Sequence, residues 1–354
     1  MSTKLRLLED YDGTVYEVEL PLTSSVDARA AAEELGLPSY VDLSNLSMAR
    51  AAVAVWAALR APQLENLPEA LRKSVKQPIV ALIFGGAAVK VLSPKANEPG
   101  HPLNRRLNDI DFAVRKRDGA IFVKLLTNLS AALGSRYTFF TTSGDRWFNA
   151  LRGGKRYRVH GISGVEGDGL SVSVIDIFCE ELPFRHTIKL DKAFETAREN
   201  LFTIGAERLL LSKLQYIFGL PKNRLPELEA AGQGFRVLPY DHLKGMVAVG
   251  MELKDMKDVA ALLLDRKPGE GIDPETFRSV LGKDKRFTLT VRLNLENFAR
   301  RVDVLVEEGL SQSEAEAAAD RALELLEALP KVEAKWSKPW WNIYVESPGL
   351  GGVK

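Results

Sequence analysis

Asp109 and Asp111 stand two apart in RRLNDIDFAV, residues 105–114, at the head of an otherwise apolar run. On an extended strand, residues i and i+2 project from one face, with about 6.5–7 Å between their Cα atoms. Two carboxylates held that close repel each other, and Asp is depleted in strands. A divalent cation removes the repulsion: Mg²⁺ takes one or two protein carboxylates and completes its shell with water and phosphate oxygens. An edge strand with a solvated face explains the isolated pair equally well.

Two further features bear on that choice. Upstream, LIFGGAA (residues 82–88) is a short apolar run that meets Gly85 and Gly86 and continues into a helical pattern. Such a turn lets backbone N–H groups and a helix N-terminus approach phosphate oxygens. Taken alone, the diglycine could simply be a strand-to-helix turn. Downstream, SVSVIDIFCE (residues 171–180) sets Asp176 inside a β-branched strand. A buried acid in such a run needs a partner. Beside Asp109 and Asp111 it would complete a site able to hold one or two metals and to deprotonate an attacking hydroxyl. The order of diglycine, D-x-D and strand-borne Asp is more specific than any of its parts.

The elements that must position these residues follow from periodicity and punctuation. Residues 4–20 alternate apolar and polar about Asp12-Gly13, the pattern of a hairpin. Helical patterns cover 26–36, 44–60 and 64–75, and IVALIF makes a short buried strand ending at Gly85. Helix AAVKVL, a long Pro/Gly-containing loop (SPKANEPGHPLN), strand 109–114, helix 119–133 and strand 137–141 come next. RWFNAL and YRVHGI read as two strands joined by Gly153-Gly154, before strand 171–178. From about residue 190 the pattern is helical almost to 330, and the tail WSKPWWNIYVES is aromatic and irregular. The expected fold is therefore α/β. Residues 1–75 form an N-terminal hairpin and helices, 76–190 the core, 191–330 a helical domain and 331–354 an aromatic tail.

Composition bounds the setting. With 354 residues and 45% hydrophobic content the chain can bury a substantial core and divide into domains. No stretch reaches the ~20 apolar residues of a membrane span, and the N-terminus lacks a signal-peptide core, so a cytoplasmic protein is expected. The single cysteine excludes an intramolecular disulfide framework, and the four histidines lack zinc-ligand spacing. Net charge is only +1, but residues 95–158 hold thirteen Lys or Arg against five Asp or Glu, while 301–330 hold two against eight. The basic stretch, with Phe139, Trp147, Phe148 and Tyr157 among its charges, could take up RNA by phosphate contact and stacking. Phe139 and Phe148 serve equally as core. Trp336, Trp340 and Trp341 are expected to pack back onto the helical domain.

FGGAAVKVL, RRLNDIDF and SVIDIF together resemble the nucleotidyltransferase superfamily, with its polymerase-β-like mixed sheet and flanking helices. IGAERLLLSKLQYIF and ELKDMKDVAALL are similar to the lysine-bearing helix and K-D-x-x-D motif of the AbiEii-type toxin nucleotidyltransferases of toxin–antitoxin systems. The resemblance spans roughly residues 78–265. It implies transfer of a nucleoside monophosphate from an NTP such as ATP to an acceptor, with magnesium as cofactor. A tRNA 3′ end is the leading acceptor, a protein hydroxyl or small molecule the alternative, and a cognate antitoxin a further partner. Position by position, Gly85 and Gly86 would cradle the triphosphate, Asp109 and Asp111 hold Mg²⁺, and Asp176 complete the metal site or activate the acceptor. Lys213 would meet the phosphates, with Lys254, Asp255 and Asp258 lining the site from the helical side. Arg106, or equally Arg105, would orient a phosphate or a carboxylate. Lys213 could instead be a snorkelling surface lysine. Departures from the family are Ala87 and Ala88, where Ser or Thr is frequent, the long stretch after Gly86, and Glu252 in place of a basic residue.

Competing readings are weaker. Asp10, Asp12, Gly13 and Thr14 fit the nucleophile motif of haloacid-dehalogenase-type phosphatases, but TVYEVEL continues as a strand and no G-D-x-x-x-D follows. A metal-dependent glycosyltransferase would leave the diglycine and Asp176 unexplained. A nucleotidyltransferase fold without turnover, acting as a binding module, is the non-enzymatic alternative.

Overall fold

The computed structural model describes residues 2–9, 15–21, 27–107, 109–133, 137–166, 169–230, 236–333 and 336–343. Alternation at the N-terminus yields β1 (Ser2–Glu9) and β2 (Val15–Pro21), an antiparallel pair. Asp10, Asp12, Gly13 and Thr14 lie outside the described residues. Asp27 accepts from the Arg29 N–H and Asn45 from those of Ser47 and Met48, so both cap helices, α1 (Ala28–Leu35) and α2 (Leu46–Arg60). After α3 (Glu69–Ser74), strand β3 (Leu82–Phe84) runs directly into α4 (Gly85–Leu92). Then come β4 (Asp109–Val114), α5 (Gly119–Leu133), β5 (Thr138–Phe140), α6 (Ser143–Arg152), β6 (Arg156–Glu166) and β7 (Gly169–Cys179).

RWFNAL is not a strand: it lies inside α6. The Thr142 hydroxyl accepts from the Asp145 N–H while the Asp145 carboxylate accepts from the Thr142 N–H, a reciprocal cap that starts a helix there. Gly153-Gly154 therefore joins a helix to β6.

Residues Met1–Val91, Arg106–Leu182 and Leu190–Gly205 form one compact unit. Its centre is a mixed five-stranded sheet of order β3-β4-β7-β6-β5, in which only β4 and β7 are parallel neighbours. One face is apolar: Ile110, Phe112, Val159, Ile175 and Ile177 are wholly buried there. Phe112 meets Phe122 of α5 edge-on at 5.5 Å. On the same face Arg50 of α2 is fully buried and donates to the Ser173 hydroxyl. Gly161 makes room for it, since a Cβ there would come within 3.2 Å of Arg50 Cδ and 3.0 Å of Ile175 Cδ1. The opposite face carries the charged residues. Short edge strand β3 is covered by a bridge from Ile83 to Thr203, which leaves little open backbone for another chain.

Residues Leu92–Arg105, Pro183–Lys189 and Ala206–Lys354 form the second unit. Between the units' main blocks the chain adds β8 (Glu181–Pro183), β9 (Thr187–Lys189) and α7 (Asp191–Glu195). The second unit then contains α8 (Ala206–Leu214), β10 (Phe218–Pro221), α9 (Leu225–Ala230), β11 (Met246–Val249), α10 (Leu253–Asp265), α11 (Pro274–Leu281), α12 (Lys285–Arg300), α13 (Asp303–Glu307) and α14 (Gln312–Ala328). An antiparallel β10–β11 pair interrupts what the sequence presents as a continuous helical region. Trp340 and Trp341 pack with Ile217, Leu238, Tyr240 and Leu293, with Trp336 against the same cluster. The SPKANEPGHPLN loop is tied down within this unit. Asp265 accepts from the Ser93 hydroxyl and the Lys95 N–H, and Glu314 pairs with the Lys95 ammonium at 2.6 Å. Among the described residues no helix is long and apolar enough to cross a membrane.

Candidate functional site

Strand register brings the first unit's predicted residues together. Asp111 is the direct partner of Phe84 on β3 and of Asp176 on β7, and Asp176 is the partner of Arg158 on β6. Phe84, Asp111, Asp176 and Arg158 thus form one row across four strands on one face. Asp109, two residues before Asp111, opens the next row, with Val174 and His160 as successive partners. Asp109 is exposed, Asp111 half-buried and Asp176 buried. Gly85 follows Phe84 with φ +63°, the left-handed region that side chains avoid. A Cβ on it would also run into the Asp111 carboxylate, so the bare backbone of the turn lies against that acid. Ala87 and Ala88 are buried in α4. Arg106 is exposed, three residues before Asp109.

Asp176 finds its partners within its own sheet. Arg156 donates to its Oδ2 at 2.7 Å and Arg158 to its Oδ1 at 3.1 Å. Both guanidinium groups lie over the Phe148 ring, 5.6 and 4.8 Å from its centroid, and Arg156 also covers Phe178 at 4.7 Å. A carboxylate in a β-branched strand is therefore neutralised by two cations from the neighbouring strand. Asp109 and Asp111 fit the one or two carboxylates that Mg²⁺ takes when phosphate and water fill its shell. Asp176, with both oxygens engaged by arginine, fits less well. Among the described residues no three Asp, Glu, His or Cys side chains form a group that could hold a metal ion.

The second unit has its own charged node. Lys213 of α8 reaches Asp255 at 2.9 Å and Asp258 at 2.8 Å, both on one face of α10. Arg105 clamps Asp258 with Nε and Nη2, each at 2.8 Å. Burial acts to lower the Lys213 ammonium, but the two carboxylates outweigh it and hold the pKa above the usual range. Burial likewise acts to raise the Asp258 carboxyl; Lys213 and Arg105 outweigh it and hold the carboxyl well below the usual range. Lys213 is not a snorkelling lysine, since its side chain is 13% exposed and doubly paired. Lys254 points elsewhere: it is half exposed and pairs with Glu252 at 3.1 Å.

Four participants, Arg156, Arg158, Asp145 and His160, escape sequence reasoning. Arg156 and Arg158 look like ordinary alternation in YRVHGI, and only the β6–β7 register aims them at Asp176. Arg105, named above as able to orient a carboxylate, does so with Asp258, 153 residues on, though its partner could not be read from spacing. His160 and Asp145, hydrogen-bonded at 2.7 Å, are 15 apart, a spacing that signals nothing by itself. No protein-family model matches the chain, and no curated protein matches it either.

Proposed function

We propose that the protein is a Mg²⁺-dependent nucleotidyltransferase that moves a nucleoside monophosphate from an NTP to an acceptor hydroxyl. The observation that carries this reading is the row in which the Gly85 turn rests on Asp111, with Asp109 on the same face and Asp176 in register. The nucleotidyltransferase-type sheet implied by the sequence resemblance agrees with it. Asp109 and Asp111 would hold the metal, which supplies charge neutralisation for the triphosphate. The Gly85-Gly86 turn would offer backbone N–H groups to phosphate oxygens, as side chains here would block the approach. Arg156 and Arg158 hold the Asp176 carboxylate in place and contribute positive field to the same face. Lys213, Asp255, Asp258 and Arg105 balance one another, so their part in this reading is to hold α8, α10 and the loop before Arg106 in register. A toxin-type activity on a tRNA 3′ end, restrained by an antitoxin, is the version the family resemblance favours.

The arginines on Asp176 also support the rival, a nucleotidyltransferase fold that binds without turning over. Thermal melting with Mg²⁺ and each NTP separates the two from unrelated function. Stabilisation by one Mg·NTP, of about 2.7 kcal/mol at a hundredfold excess over Kd, should vanish in Asp109→Ala. Incubation with each α-labelled NTP and total cellular RNA and protein then decides between the enzyme and the module. Label entering tRNA or polypeptide supports transfer, whereas binding without labelled product supports the module. No stabilisation by any Mg·NTP would overturn both.

A further inference from the structure

Resting on the nucleotidyltransferase reading, we infer that the Asp145–His160 pair is the proton acceptor of the site, in the place that sequence resemblance gives to Asp176. Asp176 is poorly placed to meet an attacking hydroxyl, because Arg156 and Arg158 already occupy its two oxygens. His160 lies on the same sheet face. It is the second strand partner along the row that begins with Asp109, through Val174. Two inter-strand steps, with Val174 between, place its Cα about 10 Å from that of Asp109 on the same face.

The pair has the build of an oriented base. Asp145 is buried at the start of α6, where the same Oδ2 that meets His160 Nδ1 at 2.7 Å also accepts from the Thr142 N–H at 2.9 Å. Burial acts to raise its carboxyl, but the bonds from His160 and Thr142 outweigh it and hold the group below its usual range. An ionised carboxylate only accepts, so Nδ1 carries the hydrogen, and in the neutral ring the lone pair is on Nε2. Phe140 stacks on the imidazole at 5.6 Å and fixes the ring plane. Nε2 has no hydrogen-bond partner among the described residues, and the side chain is 16% exposed. The charged groups facing His160 are Asp145 from α6, Arg158 on its own strand, and Asp109 and Asp176 across the face.

In the step this supports, the acceptor oxygen attacks the α-phosphorus of the NTP. A new O–P bond forms, and the bond from that phosphorus to the β-bridging oxygen breaks with its electron pair leaving on pyrophosphate. The acceptor's proton passes to His160 Nε2 and from there to solvent. Positioning by a buried carboxylate and proton removal by imidazole typically contribute 10²- to 10⁴-fold in rate.

The test combines turnover with a spectroscopic readout. Label transfer from α-labelled NTP to total RNA and protein is measured for the wild type, His160→Gln and Asp145→Asn, alongside Mg·NTP melting. The expected result is transfer about 100-fold lower in His160→Gln, with its Mg·NTP melting shift retained. Asp145→Asn should shift the acid limb of the pH–rate profile. In ¹⁵N NMR of the wild type, neutral His160 should carry its hydrogen on Nδ1. Wild-type transfer that persists unchanged in His160→Gln, or an Nε2–H tautomer, would overturn the assignment while leaving the nucleotidyltransferase reading intact. Absence of transfer by the wild type would overturn both.

Discussion

At the scale of single residues, Gly85 is the position with least freedom. Any L-residue there meets a left-handed φ, at about 1–2 kcal/mol, and also collides with the Asp111 carboxylate. Gly36 offers a comparison: its φ is +71°, but nothing lies within 4 Å of the Cβ that an alanine would add. Gly36→Ala should therefore lower the melting temperature through backbone strain alone and keep the Mg·NTP shift. Gly85→Ala should lose that shift as well; equal behaviour of the two would refute a role for Gly85 against the acid. Much of this was legible in the sequence. Two carboxylates at i and i+2 must share a strand face, and a diglycine after an apolar run marks a turn into a helix. What stayed hidden was the identity of Asp176's partners. Strand pairing is set by tertiary register, and no local pattern in residues 156–158 distinguishes an arginine facing an acid from one facing water.

At the scale of elements, α8 and α10 are joined by charge as well as by apolar packing. Asp258 has two cationic partners, and removing it leaves Arg105 without its carboxylate in a buried setting. Asp258→Ala should cost about 3–5 kcal/mol in stability, read by urea denaturation at neutral pH. The pH dependence follows from the lowered carboxyl. Its contribution is complete above the unfolded value near 3.8 and is lost as pH falls toward the folded value of about 2. Wild type should thus lose stability faster than Asp258→Ala on acidification below pH 4; parallel curves would contradict the pairing. Helices 119–133 and 46–60 and strand 109–114 could be read almost to the residue, because each carries a clear period and a cap or turn signal. RWFNAL could not. Its apolar residues fit either period over so short a window, and the deciding cue was the Thr142–Asp145 cap lying just before it.

At the scale of the whole molecule, the proposed transfer requires a surface that receives the acceptor. Trp147 and Leu151 are 69% and 62% exposed on α6, one helical turn apart, among Arg146, Arg152 and Lys155. If the acceptor is RNA, Trp147→Ala should reduce labelling of RNA several-fold, since base stacking is worth about 1–3 kcal/mol. The Mg·NTP melting shift should stay unchanged. Retained RNA labelling would instead point to another face. The tryptophans of the tail are spent otherwise, in the second unit's core. Segments could be assigned from sequence because their signals are local, whereas the β10–β11 pair and the tethered loop depend on partners far along the chain. One consequence of the Arg156–Asp176–Arg158 arrangement reaches beyond chemistry. With built-in counter-charge on Asp176, the most buried acid of that face needs no metal to fold. If the proposed transfer needs magnesium, chelators should therefore silence it without melting the protein, and re-supplying magnesium should restore it at once, with no refolding delay.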